Sequence, residues 1–415
     1  MRIEKVDVAI IGGGPAGLAS AIAASSAGAE KVTILDRNKA LGGILPQCIH
    51  NGFGLHRFKK DLTGPEYAQR FIDRVEKLKI EVKLETMVLD IKPERKILAI
   101  NTKEGIFQVE AGAVVLAMGC RERTRGALSI PGDRPAGIFT AGVAQQWINL
   151  EGYLPGKRIV ILGSGDVGLI MARRLALEGA EVKAVVEIMP YPGGLTRNVV
   201  QCLYDFDIPL FLEHTVVSIH GKDRVEAVTI ARVNEEREFI PATKKIIDCD
   251  TLLLSVGLIP ENELSSSADV RLDPSTGGPV VDERRQTSVE GIFACGNVIQ
   301  IYDLVDYVSL EGDIAGKNAA LYASGRLKQP KKLIRLIPGR NIHSLVPQLI
   351  SAQNTTTIFV RVKDPENSVR LRIGQGIKEV EKPFINPNQT LTHTLSLKEL
   401  VSLAALDEVK VSMIK

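Results

Sequence analysis

The sequence predicts an α/β chain made of two β-α-β units, one inserted into the other, followed by a small, mostly β segment. Three observations support this prediction: two glycine-rich turns about 150 residues apart, two later apolar strands that each end at a glycine, and alternating apolar residues after about residue 325. A chain of 415 residues is long enough for two to three domains.

The first unit begins in an uncharged run over residues 8–29, whose length alone is compatible with a membrane span. Three glycines and a proline at 12–15 interrupt it, where a spanning helix would lose helix propensity and a backbone donor. The run instead predicts a buried parallel strand over 6–11, a glycine turn, and a helix from about Pro15. Residues 31–36 add a second strand that ends in an acid and completes the unit.

The same order of elements recurs later. It predicts a strand over 157–162, a glycine turn over 163–168, a helix over 169–178 and a strand over 181–187. A short antiparallel meander follows each unit and leads to an apolar closing strand. The meanders cover 82–115 and 210–231, the closing strands cover 113–117 and 251–256, and a further short strand over 291–297 precedes a helix over 310–324.

The C-terminal segment differs in charge and in pattern. Residues 331–415 hold 13 basic and 7 acidic residues, although the whole chain carries only +3. Apolar residues alternate strictly in three stretches, which indicates half-buried antiparallel strands. These positions are Ile358, Val360 and Val362, then Val369, Leu371 and Ile373, then Val409, Val411 and Met413.

Composition excludes several function classes. A net charge of +3 does not favour a nucleic-acid partner. The five cysteines are widely spread without any C-x-x-C, so neither a disulfide framework nor a thiolate metal site is predicted, and a reducing cytoplasm fits best. We expect no metal site, no membrane span and no nucleic-acid binding.

The first glycine turn has the spacing Gly12-x-Gly14-x-x-Gly17. Such glycines allow a tight turn, close approach of the backbone to a pyrophosphate, and packing of the helix on the strand. Asp36 stands nineteen residues after Gly17, where it can accept a hydrogen bond from a ribose hydroxyl. A glycine turn without a ligand is the alternative.

The second turn, Gly163-x-Gly165-x-x-Gly168, is followed at the same distance by Glu187. A carboxylate there accepts a hydrogen bond from a free 2′-hydroxyl and repels a 2′-phosphate, so NAD is favoured over NADP. No Arg or Lys occupies 185–189 to receive a phosphate. The alternative is that Glu187 points to water.

Two such turns in one chain predict two Rossmann-like dinucleotide-binding domains, one inserted in the other, plus a small C-terminal mostly β domain. A nicotinamide and a flavin in one chain can exchange a hydride, whereas two nicotinamides have no evident reason to be paired, so one site is expected to hold FAD. The predicted bounds are 1–125 with 259–326 for FAD, 126–258 for NAD, and 327–415 for the β domain.

Four motifs in this order resemble those of the pyridine-nucleotide-dependent flavoprotein reductases with two dinucleotide domains. They lie at 12–17, 41–43, 117–119 and 291–297. The resemblance implies that Asp36 binds the adenosine ribose, that Gly43 lies along the FAD, and that Gly296 and Asn297 lie near its ribityl and pyrophosphate groups. That family usually has Asp where this chain has Asn297.

A narrower resemblance connects residues 42–54, 118–125 and 130–142 with the flavoprotein subunits that accompany a bacterial glycerol-3-phosphate dehydrogenase. More distant relatives of that group are NAD-linked subunits of sarcosine, opine and proline dehydrogenase complexes. The resemblance implies that a separate flavoprotein subunit oxidises the substrate while this chain exchanges electrons with NAD(H). A homo- or hetero-oligomer is therefore expected.

The resemblance also assigns residues to the coenzymes. Those expected at a cofactor are Gly12, Gly14, Pro15, Ala16, Gly17, Asp36, Arg37, Gly42, Gly43, Gln47, Val88, Gly119, Gly163, Gly165, Asp166, Val167, Gly168, Glu187, Gly257, Gly296 and Asn297. In this fold the helix predicted at 310–324 points its N-terminus at the flavin pyrimidine. The acids just before and at its start, Asp303, Asp306 and Glu311, are expected to cap it.

Cys48 and His50 are the candidate catalytic residues. Cys48 lies where disulfide reductases of this family place a redox cysteine, but Leu45 stands near the position of the first thiol of their C-x-x-x-x-C pair, so no dithiol mechanism is predicted. Cys48 is either a single redox thiol near the flavin or a small buried apolar residue. His50 is either an acid near the reduced flavin or a structural histidine.

The predicted function is exchange of hydride between NAD(H) and FAD, with electrons passing between the flavin and a partner dehydrogenase. Two alternatives stay open. One is a stand-alone NADH oxidase or peroxidase that reduces oxygen or peroxide, with Cys48 as a possible participant. The other is a redox-sensing flavoprotein with slow turnover.

Overall fold

The computed structural model describes residues 2–374 and 378–415. The chain divides into two compact units, Met1–Cys120 with Pro260–Lys415 (unit 1) and Arg121–Ile259 (unit 2). The second unit is therefore an insertion in the first.

The N-terminal part of unit 1 contains eight strands and two helices among the residues described. The strands are β1 (Arg2–Ile11), β2 (Val32–Leu35), β3 (Asn51–Phe53), β4 (Leu62–Thr63), β5 (Glu81–Lys83), β6 (Met87–Ile91), β7 (Lys96–Asn101) and β8 (Gly105–Leu116). The helices are α1 (Pro15–Ser26) and α2 (Gly64–Lys77).

The next stretch of chain forms unit 2, with one strand crossing each of its boundaries. The strands are β9 (Cys120–Glu122), β10 (Ile138–Thr140), β11 (Arg158–Leu162), β12 (Glu181–Val186), β13 (Leu210–Phe211), β14 (His214–His220), β15 (Ala227–Arg232), β16 (Lys245–Asp248), β17 (Thr251–Leu254) and β18 (Leu258–Pro260). The helices are α3 (Arg125–Leu128), α4 (Ala141–Gln146), α5 (Asp166–Leu177) and α6 (Thr196–Cys202).

The remainder of unit 1 completes the first domain and adds the β-rich C-terminal segment. Its helices are α7 (Glu263–Ser267), α8 (Val305–Ala323) and α9 (Leu397–Leu403). Its strands are β19 (Ile292–Ala294), β20 (Ile334–Pro338), β21 (Ile342–Val346), β22 (Leu349–Ile350), β23 (Thr356–Val362), β24 (Glu366–Ile373), β25 (Lys378–Ile385), β26 (Leu391–Leu395) and β27 (Glu408–Ile414).

The same arrangement of three parallel strands forms the centre of both units. In unit 1 the sheet order is β5-β2-β1-β8-β7-β6, with β19 also paired to β8. In unit 2 the order is β10-β17-β11-β12-β13, so β12-β11-β17 corresponds to β2-β1-β8. The α/β class and the two β-α-β units are therefore confirmed. The antiparallel meanders are confirmed in type, since β6, β7 and β8 pair antiparallel, as do β14, β15 and β16. Their predicted bounds are wrong, because β5 and β13 pair parallel with β2 and β12, and β16 lies beyond residue 231.

Two helices begin earlier than the sequence predicts. α5 begins at Asp166, not Leu169, and α8 begins at Val305, not Leu310. For α5 the reason is that Gly165 is already the N-cap, so the third glycine of the motif lies within the first helical turn. A glycine that the sequence marks as part of a turn is here part of a helix.

The expectation that acids cap α8 is wrong. Its N-cap is Leu304, which makes no side-chain capping bond. Asp306 instead accepts a hydrogen bond from the Arg57 N–H at 3.1 Å. Glu311 forms a fully buried, two-bond ion pair with Arg285, at 2.7 and 2.6 Å. These acids therefore connect α8 to other segments of unit 1.

The C-terminal segment forms two sheets, β22-β20-β27-β24-β25 and β21-β23-β26. The predicted alternation is confirmed in β24 and β27, whose apolar side chains are buried in a core of their own. It fails in β23, where Phe359 between Ile358 and Val360 is also fully buried. Phe359 packs against Tyr302 and Tyr307, with ring centroids 5.2 and 5.5 Å apart, so β23 is covered on both faces.

Helices α1 and α8 pack closely because glycines lie at their interface. A Cβ on Gly312 or Gly316 of α8 would overlap the carbonyl oxygen of Ala16 or Ser20 of α1. The Ser20 hydroxyl donates to the Gly312 carbonyl at 3.0 Å. Since glycine inside a helix costs about 1 kcal/mol relative to alanine, its presence here reflects the need for a short distance between the helices.

We predict that Gly316→Ala lowers the free energy of unfolding of unit 1 by about 1–3 kcal/mol, because the added methyl forces α1 and α8 apart. Urea denaturation followed by circular dichroism measures this change. Gly126→Ala is the control, because its Cβ would lie 3.8 Å from the nearest atom. Equal stability of Gly316→Ala and the parent would contradict the described packing.

Candidate functional site

The outer glycines of both turns are required by the fold itself. Gly12 has a φ of +105°, and a Cβ there would lie 2.5 Å from the Ala117 carbonyl oxygen. Gly163 has a φ of +98°, and its Cβ would overlap the Ser255 carbonyl oxygen. A Cβ on Gly17 would overlap the Gly12 carbonyl oxygen, and one on Gly168 would lie 2.7 Å from that of Gly163.

The middle glycines are different, because the protein leaves space beside them. Gly14 has an ordinary φ of −77°, and its Cβ would lie 3.7 Å from the nearest atom, in Gly43. Gly165 has a φ of −64°, and its Cβ would lie 4.0 Å from the nearest atom. Each is the N-cap of a helix, α1 or α5. The free space next to a helix N-terminus fits a bound pyrophosphate, which the backbone N–H groups stabilise.

The two predicted ribose carboxylates are held in the same way. Asp36 accepts hydrogen bonds from the backbone N–H groups of Gly13 at 2.5 Å and Asn38 at 2.7 Å. Glu187 accepts from those of Ser164 and Met189, both at 2.9 Å. In each unit the donors are the residue after the first glycine and the residue two positions after the acid. Glu187 therefore does not simply point to water.

Both carboxylates keep acceptor capacity for a ligand. An ionised carboxylate offers about four lone-pair sites. The two bonds to Asp36 use one site on each oxygen. Glu187 also accepts the Ser164 hydroxyl at 2.6 Å, so three of its sites are used. Asp36 is thus the less saturated of the two groups.

A double glycine after each acid lies against the middle glycine of the turn. The Gly42 N–H donates to the Gly13 carbonyl at 2.9 Å, and a Cβ on Gly43 would lie 2.9 Å from the Cα of Gly14. In unit 2 the Gly193 N–H donates to the Ser164 hydroxyl at 2.7 Å, and a Cβ on Gly193 would lie 3.4 Å from the Gly165 nitrogen.

Gly193 and Gly194 are not among the residues predicted from the sequence. The spacing contained the information, since a Gly-Gly pair stands six and seven residues after the acid in both units. Asp166 fixes the same loop, because its Oδ1 accepts from the Leu195 N–H at 2.9 Å and from the Asn198 amide at 2.6 Å. Its neighbour Val167 is 38% exposed.

Residues from two later motifs meet the first turn. A Cβ on Gly296 would lie 2.8 Å from the Cβ of Ala16, so the end of β19 lies against the start of α1, at the helix position that follows Pro15. Asn297 donates to the Cys120 Sγ at 3.6 Å and accepts from the Tyr302 N–H at 3.1 Å. Gly119 follows the end of β8 with a φ of +73° and open space around it.

Four other residues predicted to contact a cofactor lie outside the contacts described so far. Gly257 follows the end of β17 with a φ of +99°. Val88 is a core residue of β6, so only its backbone is available to a ligand. Gln47 is buried and Arg37 is exposed.

Cys48 lies on a partly buried loop, and its thiol donates to the Ile44 carbonyl at 3.4 Å. Burial raises the pKa of Cys48 to about 12, so the thiol is protonated at neutral pH. His50 Nδ1 lies 2.9 Å from the Asn51 carbonyl oxygen, and its ring is 5.0 Å from that of Phe53. None of the five cysteines forms a disulfide.

Residues 2–374 and 378–415 lack two features that bear on function. They contain no helix long and apolar enough to cross a membrane. They also contain no group of three or more His, Cys, Asp or Glu side chains that is arranged to hold a metal ion.

This fold and these paired turns match one protein family. The model of the pyridine nucleotide-disulphide oxidoreductase family matches residues 6–312, and the chain belongs to this family. The family is named for oxidoreductases that use a pyridine nucleotide.

Relatives agree with this class. An opine oxidase subunit of Agrobacterium tumefaciens (strain Ach5) is 26% identical over 345 residues, which cover 78% of this chain and 66% of that protein. Hydrogen cyanide synthase subunit HcnB of Pseudomonas protegens is 26% identical over 295 residues, which cover 65% of this chain and 60% of that protein. The match thus spans slightly under two thirds of both relatives. The solved thioredoxin reductase of T. acidophilum has a TM-score of 0.63 and 25% identity, covering 78% of this chain and 99% of that one.

We predict that Gly14→Val weakens FAD binding by about tenfold or more, because the side chain fills the space beside the start of α1. Reconstitution of the apoprotein with FAD, followed by absorbance, measures the affinity. Gly165→Val is the matched variant: it is expected to keep FAD and to lose NADH binding. A Gly14→Val protein that stays yellow and fully loaded would contradict the assignment.

Proposed function

We propose that this chain exchanges a hydride between NAD(H) and FAD, and that a partner subunit exchanges electrons with the flavin. The observation that carries the proposal is the repetition of one site in both units: an anchored carboxylate beside a glycine whose Cβ position is open. FAD is assigned to residues 1–125 with 259–326, and the nicotinamide coenzyme to 126–258.

The roles of the residues follow from their contacts. When bound, the flavin supplies the chemistry, accepting or giving a hydride at its ring. Gly14 and Gly165 leave room for a pyrophosphate at the starts of α1 and α5, and Asp36 and Glu187 accept ribose hydroxyls. The chain's task is positioning, which lowers the barrier of a reaction that needs no covalent help from the protein.

Glu187 supports NAD over NADP. Its carboxylate is held at the end of β12 by Ser164 and Met189, so it cannot easily turn away from a ribose bound there. A 2′-phosphate would meet a negative charge at this point. Residues 185–189 offer no cationic side chain to compensate.

The partner is proposed from the relatives. The opine oxidase relative and the hydrogen cyanide synthase relative are each named as one subunit of a larger enzyme. The resemblance of residues 42–54, 118–125 and 130–142 suggests a partner that oxidises glycerol-3-phosphate. We place the protein in the cytoplasm, because its five cysteines form no disulfide.

A stand-alone NADH oxidase or peroxidase is the second candidate. A peroxidase that cycles Cys48 through a sulfenic acid needs its thiolate. Burial raises the pKa of Cys48 to about 12, which disfavours that route. The rate at which NADH reduces the flavin separates the third alternative from an enzyme. A redox-sensing flavoprotein is expected to be reduced slowly.

We predict that NADH bleaches the flavin absorbance of the holoprotein within one catalytic turnover under anaerobic conditions. Stopped-flow absorbance measures the rate, and an oxygen electrode then measures how fast air reoxidises the flavin. Slow reoxidation supports a partner subunit, whereas rapid oxygen consumption that is lost in Cys48→Ser supports the oxidase. No bleaching by NADH or NADPH would overturn the proposed function.

We predict that Glu187→Arg shifts the ratio of kcat/KM for NADH over NADPH toward NADPH by about tenfold or more, since a repulsive charge becomes attractive. Glu187→Gln, which keeps the shape and removes the charge, is expected to shift the ratio less. Glu181→Arg, at the exposed start of the same strand, is the control. An unchanged ratio in Glu187→Arg and Glu187→Gln would remove Glu187 from the site.

A further inference from the structure

Arg361 of β23 is a partly buried guanidinium without an ion-pair partner among the residues described. Its hydrogen bonds are two long ones to neutral acceptors, 3.4 Å to the Asn388 carbonyl and 3.3 Å to the Thr390 hydroxyl. Other buried arginines in unit 1 are fully paired: Arg285 contacts Glu311 through two bonds, and Arg284 contacts Asp282. Arg361 thus keeps donor capacity.

Burial without a paired charge has an energetic consequence. Burial lowers the pKa of Arg361, although the Asp303 carboxylate and Tyr302 act to raise that pKa. Asp303 forms no ion pair with Arg361 in the described chain. A partly buried cation without an ion-pair partner is stabilised by any anion that reaches it.

The neighbourhood of Arg361 offers further donors. The turn that accepts its hydrogen bonds contains Asn388, whose amide nitrogen is buried without an acceptor among the described residues. The Thr390 hydroxyl lies beside the guanidinium. A guanidinium with a nearby amide and hydroxyl is suited to an oxyanion, because all three can donate hydrogen bonds.

The position of Arg361 in the fold connects it with the proposed reaction. Phe359 lies two residues earlier, so it shares a face of β23 with Arg361. That face packs on Tyr302 and Tyr307, which lie just before and within the first turn of α8. The start of α8 is where the resemblance places the flavin ring. We therefore expect Arg361 near the flavin pyrimidine, a placement that rests on the proposed function.

We propose that Arg361 binds the carboxylate or phosphate group of a small molecule beside the flavin. Its partial burial favours a small ligand over a flat protein surface. A carboxylate and a phosphate both match the guanidinium fork, so the two are to be separated by experiment.

The test titrates the FAD-loaded protein with sodium acetate and, separately, with inorganic phosphate, at constant ionic strength maintained with sodium chloride. Binding is read from the flavin difference spectrum and from the thermal unfolding midpoint. We expect saturable changes with one of the two anions in the parent protein. Arg361→Met is expected to weaken that binding by about tenfold or more, and Arg361→Lys to weaken it less.

Arg335→Met is the matched control, because Arg335 is exposed on β20 of the same C-terminal segment. We expect this variant to bind anions as the parent protein does. Thr390→Val tests the site again without removing the charge and is expected to weaken binding moderately. The inference is overturned if neither anion gives a saturable change, or if Arg361→Met and the parent bind equally. Bleaching of the flavin by NADH separates failure of this inference from failure of the proposed function. If NADH bleaches the flavin but neither anion binds, only this inference fails.

Discussion

A hydrogen bond from a backbone N–H to a buried carboxylate organises both units of the molecule. It runs from Gly13 to Asp36 in unit 1 and from Ser164 to Glu187 in unit 2. The bond ties the glycine turn after one strand to the end of the neighbouring strand. Because a buried carboxylate is costly unless it is hydrogen-bonded, the acid and the turn stabilise each other. The same acid then presents its remaining lone pairs at the sheet edge, where a ribose would bind.

The two units differ in how they hold the loop that covers the turn. In unit 1 the Gly42 N–H of the loop donates to the Gly13 carbonyl. In unit 2 the side chains of Ser164 and Asp166 hold it through Gly193 and Leu195.

The sequence predicted those features that depend on local spacing. The glycine turns, the acids after them and the order of the central strands all follow from short motifs, and the structure has them. It did not predict contacts that depend on distant segments. Glu311 looked like a helix cap, yet it is buried against Arg285, and Phe359 stood at a predicted exposed position, yet α8 and Tyr302 cover it. Gly193 was missed because its role appears only when the two units are compared.

The proposed hydride exchange requires two separate dinucleotide sites in one chain. Equilibrium dialysis of the apoprotein with FAD, and then of the FAD-loaded protein with NADH under anaerobic conditions, counts them directly. We expect one FAD and one nicotinamide coenzyme bound per chain, without displacement of one by the other. Displacement of FAD by NADH, or a total of one dinucleotide per chain, would show that a single site serves both and would contradict the account.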